Sequence, residues 1–114
     1  MPHFVIDCSE NITTIKTAQE IMQVVYETAE ATGLFADGDI KVRINPFSYY
    51  KLGPGKDAFI HVFANIMEGR NTDQKKDLSG KITAKLNSLF PDVPIISINV
   101  IDFEKATYYN RSML

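Results

Sequence analysis

Proline at position 2, directly behind the initial methionine, is a residue whose type and place could do chemistry by themselves. Methionine aminopeptidases remove Met before a small second residue, and Pro2 would then carry a free secondary amine. Such an amine can take up a proton and return it. The plain alternative is structural, because proline lacks the N–H that a sheet ladder needs and so starts strands or sits on edges. Arg43 and Arg70 come next, and the chain has only one other arginine, Arg111. Arg43 interrupts an otherwise apolar strand sequence, "VRI". Arg70 stands just ahead of a helix start, where free N–H groups and the helix dipole favour an anion. Either guanidinium could fork onto a carboxylate, or could simply be a surface ion pair. His3 and His61 lie in apolar strand sequences, where a packed, hydrogen-bonded histidine is the default. His61 is kept as a candidate pocket residue. Tyr108, Tyr109 and Asn110 form a polar-aromatic cluster that could line a pocket or anchor the surface, and Tyr49 and Tyr50 are weaker candidates. The two histidines and Cys8 show neither H-x-x-x-H nor C-x-x-C spacing, so no metal is expected. "GPGKD" at 53–57 lacks the upstream glycine, the Ser/Thr and the helix of a phosphate loop, and reads as a turn.

A length of 114 residues fits one domain spanning 1–114, large enough to build a core without staples. With 45% hydrophobic and 23% charged residues, the composition is that of a globular protein. No apolar run approaches a membrane span, and the start lacks the basic and apolar regions of a signal peptide. A single cysteine excludes an internal disulfide, and the expected compartment is the cytoplasm. The formal net charge of −2 argues against nucleic acid as a partner.

The elements that must position these residues follow from periodicity. "PHFVIDCS" reads as a strand. "TAQEIMQVVYETAEATG" reads as a helix, with Thr17 and Glu20 at capping-box spacing. Its expected buried stripe is Ala18, Met22, Val25 and Ala29, widened by Ile21, and Gly33 ends it. "DIKVRIN" is the second strand, and "PFSYYKLGPGKD" a loop. "AFIHVFANI" is the third strand. The following helix begins at Asn71 with Gln74 as its reciprocal cap, and buries Leu78, Ile82, Leu86 and Leu89. "PDVP" stops it, and "IISINVIDF" is the fourth strand. The tail 104–114 has no clear period. Two β-α-β units, each with parallel strands, predict an α+β fold: a four-stranded mixed sheet with two helices on one face. Apolar residues on both sides of the third and fourth strands leave the second face needing a cover, so the sequence predicts an oligomer packed sheet against sheet.

Taken together, "PHFVIDCSENI", "EATGLF", "VRI", "DAFIHVFANIMEGR" and, more weakly, "YYNRS" resemble the tautomerase superfamily, and within it the 5-carboxymethyl-2-hydroxymuconate isomerase family. The likeness runs over nearly the whole chain and departs from the pattern at 46–57 and 103–114. The resemblance implies a trimer with active sites between neighbours. It also implies an enol-to-ketone proton transfer by the terminal proline, without cofactor or metal. Pro2 is then the general base, with Arg43 and Arg70 holding a dicarboxylate. An α-amino group has a pKa of about 8. Apolar walls such as Phe4, with a nearby cation, would lower it toward working pH. Tyr109 and Asn110 join Phe4 and His61 as candidate pocket residues, since the family's C-terminal segment reaches a neighbouring subunit near the site.

The leading expectation is therefore an isomerase acting on a small anionic substrate from aromatic-ring breakdown, with 5-carboxymethyl-2-hydroxymuconate of homoprotocatechuate degradation as the implied substrate. One alternative is another superfamily enzyme with a different enol or halogenated acid substrate. A second is a trimeric binding protein without catalysis. The state of the amino terminus discriminates them, because acylated Pro2 is not a base.

Overall fold

Each of the two long helices opens on a reciprocal cap, as the spacing predicts. The computed structural model describes residues 1–114. In α2 (Ala18–Ala31), Glu20 N–H donates to Thr17 Oγ1 at 3.2 Å while Thr17 N–H donates to the Glu20 carboxylate at 3.4 Å. In α3 (Thr72–Leu89), Gln74 N–H donates to Asn71 Oδ1 at 2.8 Å, and Asn71 N–H to Gln74 Oε1 at 2.9 Å. Gly33 ends α2 in the left-handed region, with φ of 70°. The buried stripe of α2 is Ile21, Val25, Thr28 and Ala29. Ala18 and Met22 sit at its margin instead, because the true stripe advances by fours from Ile21. In α3 the buried residues are Leu78, Ile82 and Leu86, with Leu89 partly buried beside them.

The strands are β1 (His3–Ser9), β2 (Lys41–Phe47), β3 (Phe59–Met67) and β4 (Ile95–Phe103), in the spatial order β2-β1-β3-β4. β1 pairs parallel with β2, β3 parallel with β4, and the two units meet antiparallel at β1–β3. Two further details differ from the sequence reading. A single turn, α1 (Ile12–Ile15), follows β1 and buries Ile12. β2 also continues through Pro46 to Phe47, where the sequence suggests a loop. Pro46 is tolerated because β2 is an edge strand, with no ladder on its far side to interrupt.

All of the core lies between the sheet and the helices. Phe4, Ile6 and Cys8 of β1 and Ile60, Val62 and Ala64 of β3 are fully buried against Ile21, Val25, Leu78 and Ile82. The alternate residues face away from the helices. That second face mixes apolar and polar groups: the register sets Arg43, Val5, Phe63 and Asn99 in one row and Asn45, Asp7, His61 and Ser97 in the next. It is therefore less uniformly apolar than the alternation of Phe59 and Phe63 suggests. No helix is long and apolar enough to cross a membrane.

Candidate active site

Pro2 precedes β1 and shares the parity of Phe4 and Ile6, and like them it is buried. Its carbonyl accepts the Lys41 N–H at 3.1 Å, which joins it to the start of β2. Because β3 runs antiparallel to β1, with His3 opposite Asn65, the end of β3 and the turn into α3 arrive at the same end of the sheet. That turn carries Arg70. Its Nη2 donates to the Leu34 carbonyl at 2.6 Å and its Nη1 to the Met67 carbonyl at 3.3 Å. The guanidinium carbon also stands 5.1 Å from the centre of the Phe35 ring, a cation–π contact. Phe35 in turn meets Phe4 edge-on, with centroids 5.9 Å apart. A wall of Phe4 and Phe35 backed by Arg70 thus stands at the Pro2 end.

The state of Arg70 is chemically informative. It is half-buried, and the ion pairs of the chain are Met1–Asp39, Lys75–Asp102 and Lys81–Asp77. None of them supplies a carboxylate to Arg70. A guanidinium has five N–H donors, and two carbonyls occupy two of them. Three are left to meet an anion.

With Met1 attached, the Pro2 nitrogen is part of an amide and its lone pair is delocalised. The Met1 ammonium instead lies 2.9 Å from Asp39 Oδ2. On the other side of this end, Glu68 fastens the tail. Its N–H donates to the Phe103 carbonyl at 3.1 Å, and its carboxylate accepts the Lys105 N–H at 2.5 Å. Tyr108 stacks on Phe103 with centroids 5.2 Å apart, and Asn110 Nδ2 donates to the Tyr108 hydroxyl at 3.4 Å. Tyr109 is 66% exposed, and its hydroxyl donates to the Met113 carbonyl at 3.3 Å. Of the tail candidates, Asn110 is tied through Tyr108 to the body, while Tyr109 turns outward.

Arg43 and His61 are not brought to this cluster within one chain. Arg43 lies on the uncovered face, exposed, with Nη1 3.2 Å from His3 Nδ1. His61 shares that face opposite Asp7, five positions along β1 from Pro2, roughly 16 Å at the rise of a strand. Its Nδ1 is 2.7 Å from Ser97 Oγ and its Nε2 2.5 Å from Asn99 Oδ1, so both ring nitrogens are engaged. The largest surface concavity, about 620 Å³, lies between α3 and β4 and touches neither Pro2 nor Arg70. Pro2 and Phe4 are themselves buried at their end of the sheet, with Phe35 and Arg70 partly exposed beside them. No group of three or more His, Cys, Asp or Glu side chains stands together to hold a metal.

Leu34, Phe35, Asp39 and Glu68 were not legible as site residues from the sequence. The signal for the first two was available: a glycine with left-handed backbone turns the chain directly after α2, and an aromatic residue follows two positions later. Glu68 carries no such signal, since an acidic residue before a helix is ordinarily a solvated one.

Comparison with known proteins places this chain among relatives. The model of the family described as 5-carboxymethyl-2-hydroxymuconate isomerase matches residues 2–112. The 5-carboxymethyl-2-hydroxymuconate Delta-isomerase of Escherichia coli is 24% identical over 106 residues, covering 91% of this chain and 84% of the relative. Among solved structures, a 5-carboxymethyl-2-hydroxymuconate isomerase from Deinococcus radiodurans R1 superposes with a TM-score of 0.84 at 23% identity. That match covers 96% of this chain and 88% of the other. The W0 fused 4-OT wild type symmetric trimer superposes with a TM-score of 0.79 at 17% identity, over 98% and 95% of the two chains.

Proposed function

Since the chain belongs to the 5-carboxymethyl-2-hydroxymuconate isomerase family and has the tautomerase fold, we propose that it moves a proton from an enol oxygen to carbon in an unsaturated dicarboxylate, with Pro2 as general base once Met1 is removed. The observation that carries this reading is Arg70. It is a half-buried guanidinium on an aromatic wall at the Pro2 end, without an acidic partner and with three donors to spare. An anionic substrate would complete it.

The chemistry needs little else. The free amine takes the enol proton, the oxygen becomes a carbonyl, and the ammonium returns a proton to carbon. No electron leaves the substrate, so no redox partner is required. A cation beside the forming carbonyl or carboxylate stabilises charge where it develops. Phe4 and Phe35 would disfavour the ammonium form of Pro2, and Arg70 would add to this through its charge. Arg43, on the uncovered face, enters the scheme as a second carboxylate holder in a homotrimer whose sheet faces meet. There the residues of one subunit can reach the Pro2 end of the next.

The test is to compare protein with and without Met1 on 2-hydroxymuconate, following the ultraviolet change on ketonisation, with intact mass defining the two samples. The processed protein should be active, with a rate that rises with pH as the amine loses its proton. The acylated one should be nearly inert and equally folded. Full activity in a sample retaining Met1 would overturn the role of Pro2.

A further inference from the structure

The contact between His3 and Arg43 contains a constraint on protonation. A guanidinium can only donate hydrogen bonds. Arg43 Nη1 lies 3.2 Å from His3 Nδ1, so Nδ1 must present its lone pair and the ring must be neutral with its proton on Nε2. His3 thereby becomes the hydrogen-bond acceptor that this structure gives Arg43. The two side chains come from adjacent strands, His3 being opposite Lys41 and Arg43 opposite Val5, on the face away from the helices.

We propose that His3 is a positioning residue that aims the Arg43 guanidinium at the second carboxylate of the substrate, and that protonation of His3 releases it. This rests on the reading of Arg43 given above. Charges around the ring keep it in the accepting form. β2 contributes Lys41 and Arg43, and the chain start contributes the Met1 ammonium. Asp39, in the segment before β2, opposes them. β3 places the neutral Asn65 opposite His3. Burial first, and then Arg43, Lys41 and the terminal amine, hold the His3 pKa below its ordinary 6.5, against the smaller opposing pull of Asp39. The ring is therefore a neutral acceptor at neutral pH and becomes a donor only in acid, when it would repel Arg43.

The experiment is the ratio of kcat/KM on a dicarboxylate enol to that on a monoacid enol, measured against pH in protein lacking Met1. Titration of Pro2 affects both substrates and cancels. In the wild type the ratio should fall as acid protonates His3. His3→Leu should lower the neutral-pH ratio about tenfold, the scale of a lost hydrogen bond to a charged group, and flatten its pH dependence. His3→Asn, whose amide oxygen can accept but does not titrate here, should recover much of the ratio and also lack the acid fall. Nitrogen-15 NMR of the unmutated protein reads the ring directly and should find Nδ1 unprotonated at neutral pH. A protonated Nδ1 overturns the proposal without any variant. If Arg43→Ala lowers the ratio and His3→Leu does not, the role of His3 is overturned alone. If Arg43→Ala leaves the ratio unchanged, the carboxylate-holding role of Arg43 fails, and the positioning role falls with it.

Discussion

Replacing Arg70 by Ala should weaken the fold and the chemistry by separable amounts. On the structural side, the change deletes two hydrogen bonds from a charged donor, to Leu34 O at 2.6 Å and Met67 O at 3.3 Å, and a cation–π contact at 5.1 Å. A charge-assisted hydrogen bond is worth about 1.5–3 kcal/mol when buried and an exposed cation–π pair about 0.5–1 kcal/mol. Arg70 is only half-buried, so screening and replacement by water discount both. The longer bond to Met67 counts for less still. The expected loss of stability is about 1–3 kcal/mol, measurable as a lower urea midpoint at unchanged slope. On the chemical side, three guanidinium N–H groups are lost to the substrate anion. If one charge-assisted hydrogen bond of about 1.5–3 kcal/mol goes missing in the transition state, kcat/KM should fall roughly 10- to 150-fold. Arg70→Lys should recover part of each, because an ammonium can reach a carbonyl or an anion but cannot fork onto both in one plane. The assay pairs urea denaturation with turnover of dicarboxylate and monoacid enols. An Arg70→Ala protein that is destabilised yet turns over the dicarboxylate at the wild-type rate would refute the catalytic reasoning, leaving Arg70 as a tie between Leu34 and Met67. A variant as stable as the wild type would refute the structural half.

The assembly prediction rests on a face carrying Val5, Phe59, Phe63, Ile95 and Ile101 with no helix over it, and sedimentation equilibrium should report a trimer. A stable monomer at micromolar concentration would refute it. Cys8 supplies a pH prediction: burial, and secondarily Asp7, raise its thiol pKa from 9.0 to about 11. Folded and unfolded forms both hold the proton well below pH 9, so stability is unaffected there. Between about 9 and 11 the unfolded chain ionises first, and stability should fall by up to about 3 kcal/mol. A Cys8→Ala protein, compared with wild type by denaturation across that range, should lack this increment; parallel curves for the two would contradict it.

Short windows of sequence carried much of this molecule. Thr17–Glu20 and Asn71–Gln74 mark helix starts because both partners of each cap lie within one turn, and Gly33 marks an end because only its own backbone is concerned. The order β-α-β, β-α-β and the placement of both helices on one side followed from such local signals, together with the rule for parallel crossovers. The family was legible for the same reason, since its stretches are contiguous. The slip of the α2 stripe to Ile21, and the continuation of β2 through Pro46, show where local signals run out. A stripe is set by what packs on it, and a proline is tolerated or not according to whether its strand lies on an edge. The site lies further still from local reach. Arg70 meets the carbonyl of Leu34 across 36 positions, and Phe35 reaches Phe4 across 31. Arg43 and Pro2 fall on opposite faces of the sheet only because strand pairing fixed the parity of each against the helices. Residue types and spacings named the groups that can hold an anion or move a proton. Which of them share a wall, and which wait on the uncovered face, was decided by register and packing, because side-chain encounters at that separation depend on the whole sheet closing at once.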